Sequence, residues 1–245
     1  MKLTTKNMAT KTKTKEEVRQ EQVETSVSKF EQFYEKYKNI IWIVLGAIVV
    51  IWLAILGYQK YIYQPKCAEA QEQAFPAESS FAQGEYELAL NGDGNVLGFT
   101  EIIDTYGSKA GKAVYLYAGI CELQLGDFES AVSYLKKYNG KEPIMAARAL
   151  ACQGDAYVGL ENYKAAVSAY KKAVAKADNT FAAAYLLKEG LALEQLDNKA
   201  AALECYKTIK DKYPQSIEAY EIDRYIAAVE ESVWEERLNS ARKGR

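Results

Sequence analysis

Histidine is absent from all 245 residues, and that absence excludes more than any motif present. Imidazole is the commonest general acid–base group and a frequent metal ligand. A Ser-His-Asp or Cys-His arrangement is therefore impossible, as is a zinc site that needs imidazole. Glutamates and aspartates are scattered over helical faces, so the chain reads as a non-enzyme that carries no cofactor and no metal. Cysteine is scarce, at four residues. Cys67, Cys121, Cys152 and Cys205 form no CxxC pair and have no metal-ligand spacing. Cys121 and Cys152 each stand two residues from a glycine, Gly119 and Gly154, and read as small buried side chains. Disulfides stay open if the domain lies outside the cytoplasm. An excess of charge is also lacking: 31 basic residues against 33 acidic ones leave a formal −2, which points to no nucleic-acid partner.

One apolar run stands out from this balance. "IIWIVLGAIVVIWLAILGY", residues 40–58, is 19 residues without a charge. At about 1.5 Å per residue it nearly matches the roughly 30 Å hydrocarbon core of a bilayer. A cleaved signal peptide would end in a small-x-small site, whereas "YQKYIYQPK" follows here, so the run reads as a retained anchor. Nine Lys/Arg precede it in residues 1–39 and two, Lys60 and Lys66, follow in residues 59–98. The positive-inside rule then puts the N-terminus in the cytoplasm and the rest across the membrane. The opening "KLTTKNMATKTKTK" reads as a basic disordered segment. Val23, Val27, Phe30, Tyr34 and Tyr37 give an amphipathic juxtamembrane helix within the same residues 1–39.

Beyond the run, a pattern repeats. Ala131, Ala166 and Ala202 fall 35 and 36 residues apart. Short turns precede them at Leu125-Gly126-Asp127, Leu160-Glu161-Asn162 and Leu196-Asp197-Asn198. Twelve residues before each alanine is a glycine (Gly119, Gly154, Gly190), and four after it is Leu135, Tyr170 or Tyr206. A period near 34 with two helical segments per copy signals an α-solenoid, whose copies stack because none buries its apolar face alone. Glycine in one helix and alanine in its partner predict a close approach of two backbones at Ala166, with Lys171 on the exposed face.

Three sets of residues carry a resemblance: Gly119, Ala131, Leu135 and Pro143 with "GDF" at the turn; Gly154, Tyr157, Tyr163, Ala166, Tyr170 and Ala173; and Gly190, Ala202, Tyr206 and Pro214. They are similar to tetratricopeptide repeats and span residues 110–214, although Lys199 stands where the third copy would have a turn aromatic. The fold expected is all-α, a tetratricopeptide-type solenoid of helical hairpins preceded by a single transmembrane helix. Residues 59–109 read as a linker helix and a degenerate first repeat whose two helices are separated by "LNGDGNVLG". Asn91, Asp93 and Asn95 alternate there like a calcium loop, but Val96 and Ile102 occupy the places of its glycine and glutamate, so the stretch reads as a glycine-rich turn. Residues 215–245 read as a capping helix, with Ile217, Tyr220, Arg224 and Ile226–Val229 covering the last repeat, and a tail.

The order of parts resembles the family of ancillary subunits of the bacterial SecYEG translocon (YfgM-like). "SKFEQFYEKYKN" before the span is similar to that family's entry into the membrane. The resemblance implies a single-pass inner-membrane protein with periplasmic repeats. Its partners would be protein or peptide clients, the translocon and a membrane-tethered periplasmic chaperone. In tetratricopeptide proteins the first helix of each repeat lines the concave groove. The resemblance places Leu116, Ile120 and Leu123, then Arg148, Ala151, Asp155 and Val158, then Leu187, Leu191 and Glu194 along that groove. The function expected is a periplasmic scaffold that binds exported polypeptides in a chaperone-like way. A structural adaptor for envelope or outer-membrane assembly is the alternative, and a sensor using the same concavity a third.

Overall fold

The structure, a computed structural model, describes the backbone of residues 15–177, 179 and 181–243, and side chains within residues 34–235 other than 178 and 180. The opening basic segment, and the side chains of Val23, Val27 and Phe30, lie outside the described residues. The chain divides into two compact units, residues 1–62 and 63–245.

The first unit is helical. Helix α1 (Lys15–Tyr58) runs without a break through both the juxtamembrane segment and the apolar run, and a π-helical turn, Gln59–Tyr63, follows. Trp42, Ile43, Val50 and Ile51 are each at least 60% exposed. The apolar window has a mean hydropathy of 2.9 with none of it buried, so this is a helix long and apolar enough to cross a membrane.

The second unit is a stack of helical hairpins. Helices α2 (Gln64–Ala82), α3 (Tyr86–Asn91) and α4 (Phe99–Tyr106) form its first part. Three regular hairpins follow: α5 (Ala113–Leu125) with α6 (Phe128–Lys137), α7 (Pro143–Gly159) with α8 (Tyr163–Lys176), and α9 (Phe181–Gln195) with α10 (Lys199–Lys212). Each helix from α5 onward packs on the next, and α11 (Ile222–Lys243) closes the series against α10. No strand occurs among the described residues beyond one isolated bridge, Gly92 to Leu97.

Each hairpin turns in the same way. Gly126 (φ 87°), Glu161 (φ 56°) and Asp197 (φ 57°) all occupy the left-handed region just after the first helix. The next residue's N–H reaches back five positions: Asp127 to Glu122 O, Asn162 to Tyr157 O and Asn198 to Leu193 O, at 3.0, 2.8 and 2.9 Å. That is a Schellman closure, which satisfies carbonyls left over at a helix C-terminus. The same Asp127, Asn162 and Asn198 then cap the second helix, accepting from the N–H of Ser130, Ala165 and Ala201.

The packing glycines meet something other than the expected alanines. A Cβ on Gly119, Gly154 or Gly190 would fall 2.6, 2.4 or 2.3 Å from the side chain of Leu135, Tyr170 or Tyr206 respectively. The glycine makes room for the residue four positions after each alanine. Ala131, Ala166 and Ala202 are themselves fully buried, as expected of small residues where helices meet. The large side chain one turn further on fills the notch, so bulk is conserved across the interface.

The first repeat departs from its expected layout. Gly84 (φ 82°) and the Glu85 N–H bond to Ser80 O, 2.9 Å, reproduce the hairpin turn at "GEY". "LNGDGNVLG" does not separate the two helices of the repeat; it splits the second one into α3 and α4. Within it the Asp93 carboxylate accepts from the N–H of Asn95 and Val96 at 2.8 and 2.9 Å, so it closes a turn, and these contacts hold its pKa below the ordinary carboxylate range. The cap differs as well. Ile217 and Tyr220 are 83% and 84% exposed, and the residues on the last repeat are Ile222, Tyr225, Ile226 and Val229. A short 3₁₀ turn, Glu218–Tyr220, precedes α11 and rotates the two expected residues outward.

Candidate functional site

The first helices α2, α5, α7 and α9 carry two cavities in series. The first, of about 390 Å³, is lined by Glu78, Phe81, Ala82, Leu116, Tyr117, Ile120, Met145 and Arg148, from α2, α5 and α7. Its wall is aromatic: Phe81 and Tyr117 have ring centroids 4.9 Å apart, and Phe99 stacks behind Tyr117 at 5.6 Å. The second, of about 460 Å³, is lined by Asp155, Val158, Tyr163, Tyr170, Lys188, Leu191, Ala192 and Gln195, from α7, α8 and α9.

Polar groups in the second cavity are organised around Asp155. The Tyr170 hydroxyl donates to Asp155 Oδ1 at 2.8 Å, and Lys188 Nζ bonds both carboxylate oxygens at 2.8 Å. Burial, with Asp155 beside it, pushes the Tyr170 phenol well above its usual range, so it stays a donor. One repeat on, the Tyr206 hydroxyl donates to Glu194 in the same manner. Both tyrosines fill glycine notches with their rings while their hydroxyls tie two helices together.

The ten residues expected along the groove separate into different environments: Ala151 is buried in the core and Val158 lines the second cavity. Leu116 has no exposed surface and Ile120 is 7% exposed; both belong to the core shared by α5, α6 and α7, although their edges line the first cavity. Leu123 and Leu187 are half-buried against the core clusters. Arg148 is exposed at the rim of the first cavity. Asp155 and Leu191 line the second, with Leu191 42% exposed. Glu194 is engaged by Tyr206. The groove's aromatic wall, Phe81 and Tyr117, and the cation Lys188 were not anticipated. Lys188 sits on α9 nearly one turn before Leu191, a spacing that marks the same helix face, whereas Phe81 emerges only once α2 is recognised as a repeat helix.

The cysteines are free thiols, with Cys121 and Cys205 buried. Burial pushes Cys121 and Cys205 up to about 12 and Cys152 to about 11, so they behave as small packing groups and not as nucleophiles. Among the described residues, no group of three His, Cys, Asp or Glu side chains is placed to hold a metal ion.

Stacked helix–turn–helix units with a shared core and side-chain-lined first helices define the class of helical repeat scaffolds that bind other proteins. Residues 113–143 and residues 153–217 each match a model of the tetratricopeptide repeat, so the chain carries tetratricopeptide repeats in its second unit. Two solved structures of MamA are similar in fold. One has a TM-score of 0.54 and 19% identity, covering 73% of this chain and 89% of MamA. The other has a TM-score of 0.50 and 19% identity, covering 69% and 95%. A search of curated proteins returned no match.

Proposed function

We propose that this chain is a membrane-anchored scaffold whose first-helix face holds segments of exported polypeptide on the periplasmic side of a bacterial inner membrane. Residues 40–58 serve as the anchor, with the N-terminus in the cytoplasm. The observation that carries the reading is the pair of cavities along α2, α5, α7 and α9. Each offers apolar wall (Phe81, Tyr117 and Met145; Val158 and Leu191) beside a small charged set (Glu78 and Arg148; Asp155 and Lys188). Apolar surface supplies affinity at about 25 cal/mol per Å² buried and tolerates varied sequence, while the charged pairs set direction. That combination suits extended, chemically mixed chains better than one small ligand. The order of parts supports placing such a scaffold beside the translocon, with a membrane-tethered chaperone as a second partner.

Site-directed photo-crosslinking in the full-length protein tests this. A photoreactive residue at Tyr117, Val158 or Leu191 is expected to capture a polypeptide stalled during export. The same residue at Glu129 or Lys172, exposed on second helices, is expected not to. Recovery of SecY in the same adducts supports the translocon association. Equal capture at both sets of positions overturns the groove, and adducts with outer-membrane assembly factors alone overturn the choice of client.

A further inference from the structure

A third cavity lies away from the first-helix face, where the start of α5 meets the end of α6. It encloses about 450 Å³ and is lined by Ser108, Gly111, Lys112, Tyr115, Lys136, Lys137 and Asn139. Three of these seven residues are lysines, and the other polar side chains all carry a donor: two hydroxyls and an amide. No carboxylate lines it.

Helix electrostatics explains only part of this arrangement. Lys136 and Lys137 occupy the last turn of α6, where a cation complements the carbonyl end of the helix. Lys112 stands at the opposite pole, the N-cap of α5, where a cation opposes the helix dipole and no side chain caps the first turn. Its amine is drawn across the gap: Lys112 Nζ donates to Asn139 O at 3.2 Å, which brings it toward the two lysines of α6. The Lys137 ammonium lies 5.4 Å from the centre of the Tyr134 ring and the Lys136 ammonium 5.7 Å from that of Tyr157, so both charges rest on aromatic faces. Asp104 and Glu122 lie near Tyr134 and act on its phenol after burial does, but neither lines the cavity. Three cations line one opening, and an anion placed there is attracted by all three and offsets their mutual repulsion. Hydroxyl, amide and ammonium donors around one opening match the several acceptor oxygens of a phosphate group.

We infer that this corner of the solenoid, Ser108, Lys112, Tyr115, Lys136, Lys137 and Asn139, is a binding site for a phosphate group. Two sources have that chemistry: the headgroup of an anionic phospholipid, which a chain with a membrane-spanning helix meets at high local concentration, and a free phosphate.

The full-length protein in a nonionic detergent distinguishes them by calorimetric titration with two probes, inorganic phosphate alone and short-chain phosphatidylglycerol. Saturable binding of at least one probe is expected at low salt, weakening as salt is added. The combined variant Lys112→Gln, Lys136→Gln, Lys137→Gln should bind about tenfold to a hundredfold more weakly, the loss that three exposed ion pairs represent. Lys164→Gln, Lys172→Gln, Lys176→Gln makes the same change of charge on α8 and should leave binding unchanged. The corresponding triple arginine variant at the cavity should retain it, which separates lost charge from lost fold. Binding of phosphatidylglycerol without inorganic phosphate assigns the headgroup, and binding of both assigns a general phosphate site. Absence of saturation with both probes overturns the site, as does equal weakening in the two glutamine variants.

Discussion

Lys171 illustrates how a residue on an outward face acquires an inward role. Its side chain is 67% exposed, yet Nζ lies 3.9 Å from Glu189 Oε1, a carboxylate whose side chain is only 5% exposed. Burial raises the Glu189 pKa above the ordinary carboxylate range, while Lys171 and the Cys205 thiol pull it partly back. The sequence has a precedent for a neutral group at this place: Gln153, one repeat earlier and next to Gly154 as Glu189 is next to Gly190, donates to Leu135 O at 3.2 Å. A folded pKa above the unfolded one means that the native state holds the proton more tightly. The stabilisation is then fully present below the unfolded value of about 4.3 and is lost as pH rises through the folded value. Glu189→Gln should therefore gain stability relative to the natural chain as pH rises from about 4 to about 7. Lys171→Ala should cost up to about 1 kcal/mol at neutral pH, more than the neighbouring Lys172→Ala. Urea unfolding of the full-length protein at several pH values measures both, and a pH-independent difference for Glu189→Gln would remove the buried-carboxylate account.

At the scale of elements, the repeated turn links spacing to backbone chemistry. Three hairpins share one geometry, but only the first uses glycine at the left-handed position; the others hold Glu161 and Asp197 there. A side chain in that region costs about 1–2 kcal/mol, partly offset because glycine also loosens the unfolded chain. Glu161→Gly and Asp197→Gly should each stabilise by roughly 0.5–1 kcal/mol. Gly126→Ala should destabilise by about 1 kcal/mol through its backbone alone, since no atom lies within 4 Å of the added Cβ. Denaturation midpoints of the three variants test the sign at each position. The turns were legible because capping and periodicity are local, and local rules repeat with the sequence. The first repeat was harder to read: "GEY" at Gly84 to Tyr86 parallels "GDF" at Gly126 to Phe128, but a second helix broken by a glycine loop disrupts the 35-residue spacing that identifies a copy. Long-range packing was legible only in part. The glycine positions were evident, whereas their pairing with Leu135, Tyr170 and Tyr206 depends on how far each large side chain reaches across the helix interface. The same limit explains Leu116 and Ile120: their spacing of four puts them on one face of α5, and only the stacking of α6 and α7 decides that this face meets the core.

For the molecule as a whole, charge and hydrophobicity assign different tasks to the two units. The second unit buries three hydrophobic cores between stacked helices, none of which could bury its apolar face alone. The first unit leaves Trp42, Ile43, Val50 and Ile51 exposed along one helix with no protein partner among the described residues to cover them. Apolar surface of that extent is long enough to cross a bilayer, which is the basis for proposing residues 40–58 as the anchor. Nine basic residues lie on one side of the run and two in the 40 residues after it, and a lysine or arginine resists translocation more than an acidic residue does. The expected orientation therefore retains the N-terminal segment inside and exports the repeats. In spheroplasts, protease added from outside should digest the chain from about residue 66 onward and spare a fragment containing α1. A reporter active only in the periplasm should work when fused after Val233, which lies beyond the last regular hairpin. Replacing Lys29, Lys36 and Lys38 by glutamine, with three lysines added between residues 59 and 66, should weaken or reverse the preference by inverting the local asymmetry. Full protection of the repeats in the natural chain, with a reporter active only in the cytoplasm, would overturn the orientation and with it an exported polypeptide as the client.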